Sequence, residues 1–531
     1  MEVNVSIALF SGRIYTAVDE LPAAEAVLIE KNTIVAVGTN SEIKKKCTRG
    51  TQQIDLAGKF VAPGFTDAHT HVWSMGRRLS MVDLRGLTSL AACQEAIARS
   101  ADKASPGQWI IGRNWNQNIW DNGQEPNRQD LDRVTPNNPA VMIRICGHAS
   151  WVNSRALELA GVTADTPEPQ GGKIEREPGT QIPSGIIRET RQLVEYLLPE
   201  PSPEMKKQAF LKCQTLFFQN GITCVHSFET LEEYKIIKEI ERSGKLKLRV
   251  YHSLPPEDLE LFDKWEKTTT PQSDLLWHGH TKLFADGSLG ARSACLHGPY
   301  LDTNGDRGIA CLTPDQMQQD IEHSYSMGRS VIVHAIGDRA VTETLNAIEE
   351  ARKKYPGPKR DRIEHIQLCC LEDLVRMGQM DIAASVQPMA IQTDRDVAER
   401  IWGDHRCGRA YAWKTMADQG LRLIFSSDAP IEPINPMAAI QTAVTRKSFN
   451  EPDGQSWHSE QCLSVETALK GYFEHAGWAS GKEALFGSIQ PGKRADLTIL
   501  SRDPRSVAAD KIKDIAVEMT IVDGEIVFLG L

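Results

Sequence analysis

Eight short apolar runs between residues 59 and 485 each end in polar residues, and helical patterns lie between most of them. The runs are Phe60 to His71, Gly221 to Ser227, Leu246 to Ser253, Thr281 to Gly287, Ser330 to Ala335, Arg362 to His365, Ile382 to Gln387 and Leu421 to Asp428. Thr313 to Met327, Ala340 to Lys354 and Leu371 to Met380 carry the helical spacing. Strand and helix alternating eight times predict an α/β chain folded as a (β/α)8 TIM barrel. A doubly wound open sheet alternates in the same way. The distinction lies in the polar residues, because a barrel gathers every strand C-terminus at one mouth.

Both ends of the chain read differently from its middle. Ala26 to Ile29 and Ile34 to Val37 flank a turn at Lys31-Asn32, and Asp496 to Leu500 and Met519 to Val527 repeat the pattern. Asp523-Gly524 is a hairpin turn signal. Residues 1-58 and 486-531 are therefore expected to form one composite β-sandwich around a barrel of residues 59-485. Two unrelated β-caps are the alternative. Residues 77-205 separate the first two barrel strands and are too long for one helix and its loops. They contain Trp109 to Gly112, Ala140 to Arg144, a helical start at Pro201, and Trp115, Trp120 and Trp151. This stretch is expected to be an inserted subdomain over the barrel mouth, or else a packing appendage on its flank.

A net charge of −10 argues against a nucleic-acid surface; Lys44-Lys45-Lys46 reads as a solvated helix end. No window has the apolar length of a membrane span, and the start lacks the pattern of a signal peptide. The eleven cysteines are scattered, without a CxxC pair, as buried thiols of a reducing compartment are. A cytoplasmic protein with a small-molecule substrate is expected, with neither nucleic acid nor membrane as partner. Its assembly is open, a homodimer included.

The strand ends carry the chemistry. The first run ends in His69 and His71, whose rings point to one side of a strand. The fourth carries Lys282; the fifth ends in His334, the sixth in His365, the eighth in Asp428. Any one of these fits a satisfied core. Together they supply neutral nitrogens and a carboxylate to one or two divalent ions, such as zinc. A buried lysine has a lowered pKa and presents a free amine. That amine can combine with carbon dioxide to give a carbamate, an anion able to bridge two metals; the alternative for Lys282 is a paired core cation.

The wider motifs extend this constellation. They are Ala62 to His71, Gly147 to Ser154, Lys282 to Gly290, His334 to Asp338, Arg362 to His365, Ser427 to Pro430 and Gly487 to Leu497. In this order they resemble the amidohydrolase superfamily, in its amidohydrolase-3 (YtcJ-like) branch, which includes N-substituted formamide deformylase. The resemblance implies a barrel with a terminal β-sandwich and a site of one or two metal ions. His69, His71 and Asp428 would bind the more buried ion, His334 and His365 the second, and carboxylated Lys282 would bridge them. Asp428 would take a proton from a metal-activated water and pass it to the leaving amine.

Other residues are weaker candidates. His148 matches a branch motif and is expected to bind substrate or stabilise developing negative charge; fixing a turn is the alternative. His226, Trp115, Arg292 and Tyr300 are candidates for substrate contact. Asp67 and Asp338 are expected to hold histidines or loops. The expected activity is metal-dependent hydrolysis of a non-peptide carbon–nitrogen bond, in an N-acyl or N-formyl amide or a cyclic amide. An esterase or lactonase on the same site, and a non-catalytic barrel scaffold, are the alternatives.

Overall fold

The computed structural model describes residues 6–18, 24–121, 123–145, 148–169, 172–190, 192–269 and 271–530. Two compact units emerge: one from the chain up to Ser74 together with Phe210 onwards, the other from Met75–Ala209.

The first unit contains eight parallel strands in sequential order, β1 (Phe65–Thr70), β2 (Ile222–Phe228), β3 (Arg249–Leu254), β4 (Leu276–Phe284), β5 (Ser330–Ala335), β6 (Arg362–His365), β7 (Ala383–Val386) and β8 (Leu423–Phe425). Most of their residues are buried, because helices cover a parallel barrel outside and side chains fill it inside. The chain after β8 returns to β1: Asp428 N–H donates to His69 O at 2.8 Å and His71 N–H to Ala429 O at 2.7 Å. These bonds bring His69 and His71 next to Asp428.

The expected run from Phe60 to His71 is two strands. Phe60–Pro63 pairs with Leu497–Leu500 in a five-stranded sheet, whereas β1 pairs with β2. The break is at Gly64, whose N–H donates to Asp496 O at 2.9 Å. A Cβ there would lie 2.2 Å from Thr223 Oγ1, so glycine is required where the chain enters the barrel. The fourth strand also begins earlier than Thr281, at Leu276, because the strand includes His278 and His280.

The five-stranded sheet, with Arg13–Ile14, Phe60–Pro63, Leu497–Leu500, Val517–Val522 and Glu525–Leu529, draws on both ends of the chain. A four-stranded sheet of Thr33–Gly38, Ala26–Glu30, Ser6–Phe10 and Thr51–Asp55 faces it. Ile7, Leu9, Val27 and Ile29 from one sheet share a buried core with Val61, Leu497, Ile499 and Ile521 from the other. Asp523 and Gly524 both take positive φ, at 52° and 77°, as the tight turn before Glu525–Leu529 requires.

The second unit is built on a six-stranded sheet from Val82–Asp83, Ile110–Trp115, Ala140–Arg144, Ala149–Val152, Pro183–Arg188 and Lys173–Arg176. Alternation along Ala140–Arg144 sends Met142 to a core with Trp115, Trp120 and Trp151, and Val141 to a second core with Val152 and Ile187. Among the described residues, no helix is long and apolar enough to cross a membrane.

Candidate metal centre

Lys282, His334, His365 and the His69–His71 pair lie at or near the C-terminal ends of barrel strands, and Asp428 follows β8. His69 is buried at the end of β1, with Nδ1 2.6 Å from Glu364 Oε2. Its Nε2 is left facing Asp428 Oδ1, 3.4 Å away, and His71 Nε2 lies 3.3 Å from the same oxygen. His365 donates from Nδ1 to Gln387 Oε1 at 2.7 Å, and Gln387 in turn donates to Ser426 Oγ. The His365 ring sits between those of His69 and His334, at 5.0 and 4.4 Å between centroids. His334 uses Nε2 on Gly287 O at 2.9 Å, which leaves its Nδ1 for a ligand.

Burial and the nearby Lys282 amine hold His69 well below the ordinary imidazole pKa. Burial, with His334, His69 and Lys282 beside it, does the same to His365. His334 is lowered to about 4, by burial first and then by Lys282. The rings are therefore neutral near pH 7, the form that binds a metal. Burial also lowers Lys282 to about 8, against the opposing pull of Glu364 and Asp428. Its Nζ lies 4.7 Å from the Phe228 ring and 4.9 Å from that of Phe284.

The backbone takes an unusual conformation at two of the candidate ligands and at Ile366 beside one of them. His365, Ile366 and Asp428 have φ values of 74°, 45° and 56°, in the left-handed region that side chains with a Cβ avoid. At His365 this turn breaks the in–out alternation of β6, so Glu364 and His365 both serve the cluster.

Lys282 Nζ and Asp428 Oδ1 are buried without a hydrogen-bond partner. Ligand atoms of His69, His365 and Asp428 lie within 4.8 Å of one another. Imidazoles around a carboxylate oxygen that no donor satisfies form a donor set that fits a divalent cation, zinc among them. This tightest trio crosses the expected division of ligands between two ions, since it takes His365 together with His69 and Asp428.

The expected substrate residues fare differently. Trp115 is fully buried in the core of the second unit and donates from Nε1 to Met142 O, so it presents no face to a substrate. Tyr300 is also buried, its hydroxyl donating to Ala294 O at 2.7 Å. His226 has no exposure; its Nδ1 accepts from Arg362 at 2.9 Å inside the barrel, so it does not face the mouth. Arg292 is partly exposed and paired with Asp302. His148 lies in the second unit, exposed, with Nδ1 3.0 Å from Glu189 Oε2. Asp67 accepts from the N–H of Ser427 at 2.9 Å and of His69 at 3.4 Å, tying β1 to the segment after β8. Asp338 accepts from His297 N–H and pairs with Arg409.

Glu364, Arg362 and Gln387 support the ligands, and none stood out as a site residue from sequence alone. The signal for the first two was present. Arg362 and Glu364 alternate with Ile363 on a buried strand, which turns two charged side chains inward.

The chain is 33% identical over 527 residues to the putative amidohydrolase YtcJ of Bacillus subtilis, covering 97% of this chain and 98% of that protein. It is 27% identical to the N-substituted formamide deformylase of Arthrobacter pascens, covering 94% of each. An uncharacterized metal-dependent hydrolase from Pyrococcus furiosus superposes with a TM-score of 0.75 at 31% identity, over 94% of this chain and all of that one. Residues 52–528 match the model of the Amidohydrolase family, which shows that the chain belongs to that family.

Proposed function

We propose that the protein hydrolyses a non-peptide carbon–nitrogen bond, in an N-formyl or N-acyl amide or a cyclic amide. Asp428 carries the reading: its Oδ1 lies within 3.4 Å of two histidine nitrogens and has no hydrogen-bond donor. The formamide deformylase relative supports the choice of bond. His69, His71, His334, His365 and Asp428 would hold one or two divalent ions, zinc by the chemistry of the donors, with Lys282 joining them as a carbamate. A divalent ion there supplies Lewis acidity, polarising a carbonyl and making water more acidic.

The chain's own groups do the rest. Asp428 accepts a proton from the attacking water and delivers it to the departing nitrogen, so the bond breaks to an acid and an amine. Glu364 and Gln387 hold the Nδ1 sides of His69 and His365 and aim their other nitrogens at the cluster. Phe228 and Phe284 flank the Lys282 amine. With a pKa of about 8, that amine has a neutral fraction near pH 7 able to attack carbon dioxide. The new N–C bond forms as one proton leaves the nitrogen, which gives the carbamate anion.

The test is amine release from a panel of N-formyl and N-acyl amines and matched esters, with zinc and bicarbonate present. Amides should turn over, and Asp428→Asn should reduce turnover by about 100-fold or more. Hydrolysis confined to esters, or no amine release by the zinc-loaded protein, overturns the reading.

A further inference from the structure

The interior of the barrel beneath the ligands holds charge that neither metal binding nor proton transfer uses. Arg362 and Glu364 are both fully buried on β6, with Arg362 Nε 2.9 Å from Glu364 Oε1. The short strand β6 is not a neighbour of β1 in the sheet. Yet both side chains reach β1, on consecutive residues: Arg362 Nη2 donates to Ala68 O at 3.0 Å, and Glu364 Oε2 lies 2.6 Å from His69 Nδ1. Arg362 also donates from Nη1 to His226 Nδ1 at 2.9 Å. Its guanidinium lies 5.4 Å from the Phe228 ring, which packs edge-on against His69 at 4.4 Å between centroids.

We propose that Arg362 and Glu364 form a strut across the barrel that positions His69 as a metal ligand. This rests on the metal centre proposed above. Glu364 accepts the Nδ1 proton of His69, which fixes the tautomer and leaves the lone pair on Nε2, toward Asp428. Arg362 fixes the carbonyl one residue earlier and provides the cation beside the carboxylate. His226 anchors the guanidinium from the far side, which gives that histidine a role below the site. The three are positioning residues: in this arrangement none faces substrate.

A burial argument favours this over plain packing. A buried ion pair contributes little net stability compared with apolar residues of the same volume. A carboxylate on the second nitrogen of a ligating histidine typically changes metal affinity by 10- to 100-fold.

Two measurements on the full chain test the strut. The first is zinc affinity, by competition with a chromophoric chelator. Glu364→Ala should bind zinc about 10- to 100-fold more weakly than the unaltered protein, and Glu364→Gln, which retains an acceptor, should lose less. The second is the imidazole nitrogen NMR spectrum of the metal-free protein. His69 should be the Nδ1–H tautomer in the unaltered chain and in Glu364→Gln, and mixed in Glu364→Ala. Because Glu364→Ala strands a buried cation, the double variant Arg362→Met with Glu364→Gln serves as a second test; it should keep the tautomer and bind zinc more weakly than the unaltered chain. Unchanged zinc affinity in all three variants, or an unchanged tautomer in Glu364→Ala, overturns the proposal. Absence of zinc binding by the unaltered chain would instead overturn the metal centre, while the metal-free spectrum would still judge the strut.

Discussion

In the metal-free chain the Lys282 amine sits among aromatic rings and neutral imidazoles without a hydrogen-bond acceptor. Its pKa is about 8 when folded, against 10.5 for the free side chain. Below pH 8 both states hold the proton, and the folded state carries the full desolvation penalty. Between 8 and 10.5 only the unfolded chain binds the proton, so stability rises with pH by about 3 kcal/mol from this group. Metal-free Lys282→Met should therefore melt above the unaltered chain at pH 7, and the gap should close between pH 8 and 10.5. A gap that ignores pH would show that the amine is not the cause. The ligand candidates were legible because the histidines and Asp428 lie at or near the ends of apolar runs and Lys282 interrupts one. His226, Tyr300 and Trp115 were not, because a polar or aromatic side chain reads the same whether it faces a mouth or a core. His226 has no exposure and its Nδ1 is taken by Arg362, which places it inside the barrel.

At the scale of elements, the repeat of strand and helix was legible because parallel strands buried on both faces are nearly continuous apolar runs. The division between sandwich and barrel was hidden, since Phe60–Pro63 and β1 are both buried throughout and only Gly64 separates them. Gly64→Ala should drive a Cβ into Thr223 and destabilise the fold by about 1–3 kcal/mol. Gly50→Ala, where nothing lies within 4 Å, should leave the melting temperature unchanged. Equal melting temperatures for both variants would remove the steric role given to Gly64. His365 was legible as a candidate ligand, but its backbone turn was not, because φ of 74° at a histidine follows from the strand's surroundings rather than from local preference.

Across the first unit, a buried cation joins the barrel to the end of the chain. Arg249 on β3 has no exposure and pairs with Asp496 and with Asp523, the latter at 2.9 Å, and also donates to Asp274 O. Asp496→Ala removes one partner of a buried pair and should destabilise the protein by about 3–5 kcal/mol. Replacing Arg249 by Met together with Asp496→Ala should cost less than that single change, since no charge is then stranded. Denaturant unfolding of the three proteins reads the difference. A double variant as unstable as Asp496→Ala would mean that packing, not charge, dominates there. The pairing of both ends was legible as two strand-rich termini, whereas its ionic connection to the barrel was not, since 247 residues separate Arg249 from Asp496.

The shared sandwich also has a consequence during synthesis. Lys59, just before the strand that leads into His69, pairs with Glu518, 459 residues later. At typical rates of translation those residues leave the ribosome about 20 to 90 s apart. For most of that interval Phe60–Pro63 lacks its partner Leu497–Leu500, and Asp428 has yet to be made. Until then Phe60–Pro63 is an unpaired strand edge on the nascent chain, and the His69–His71 pair stands without Asp428. Any ion that the cluster takes would enter only after Asp428 has been made.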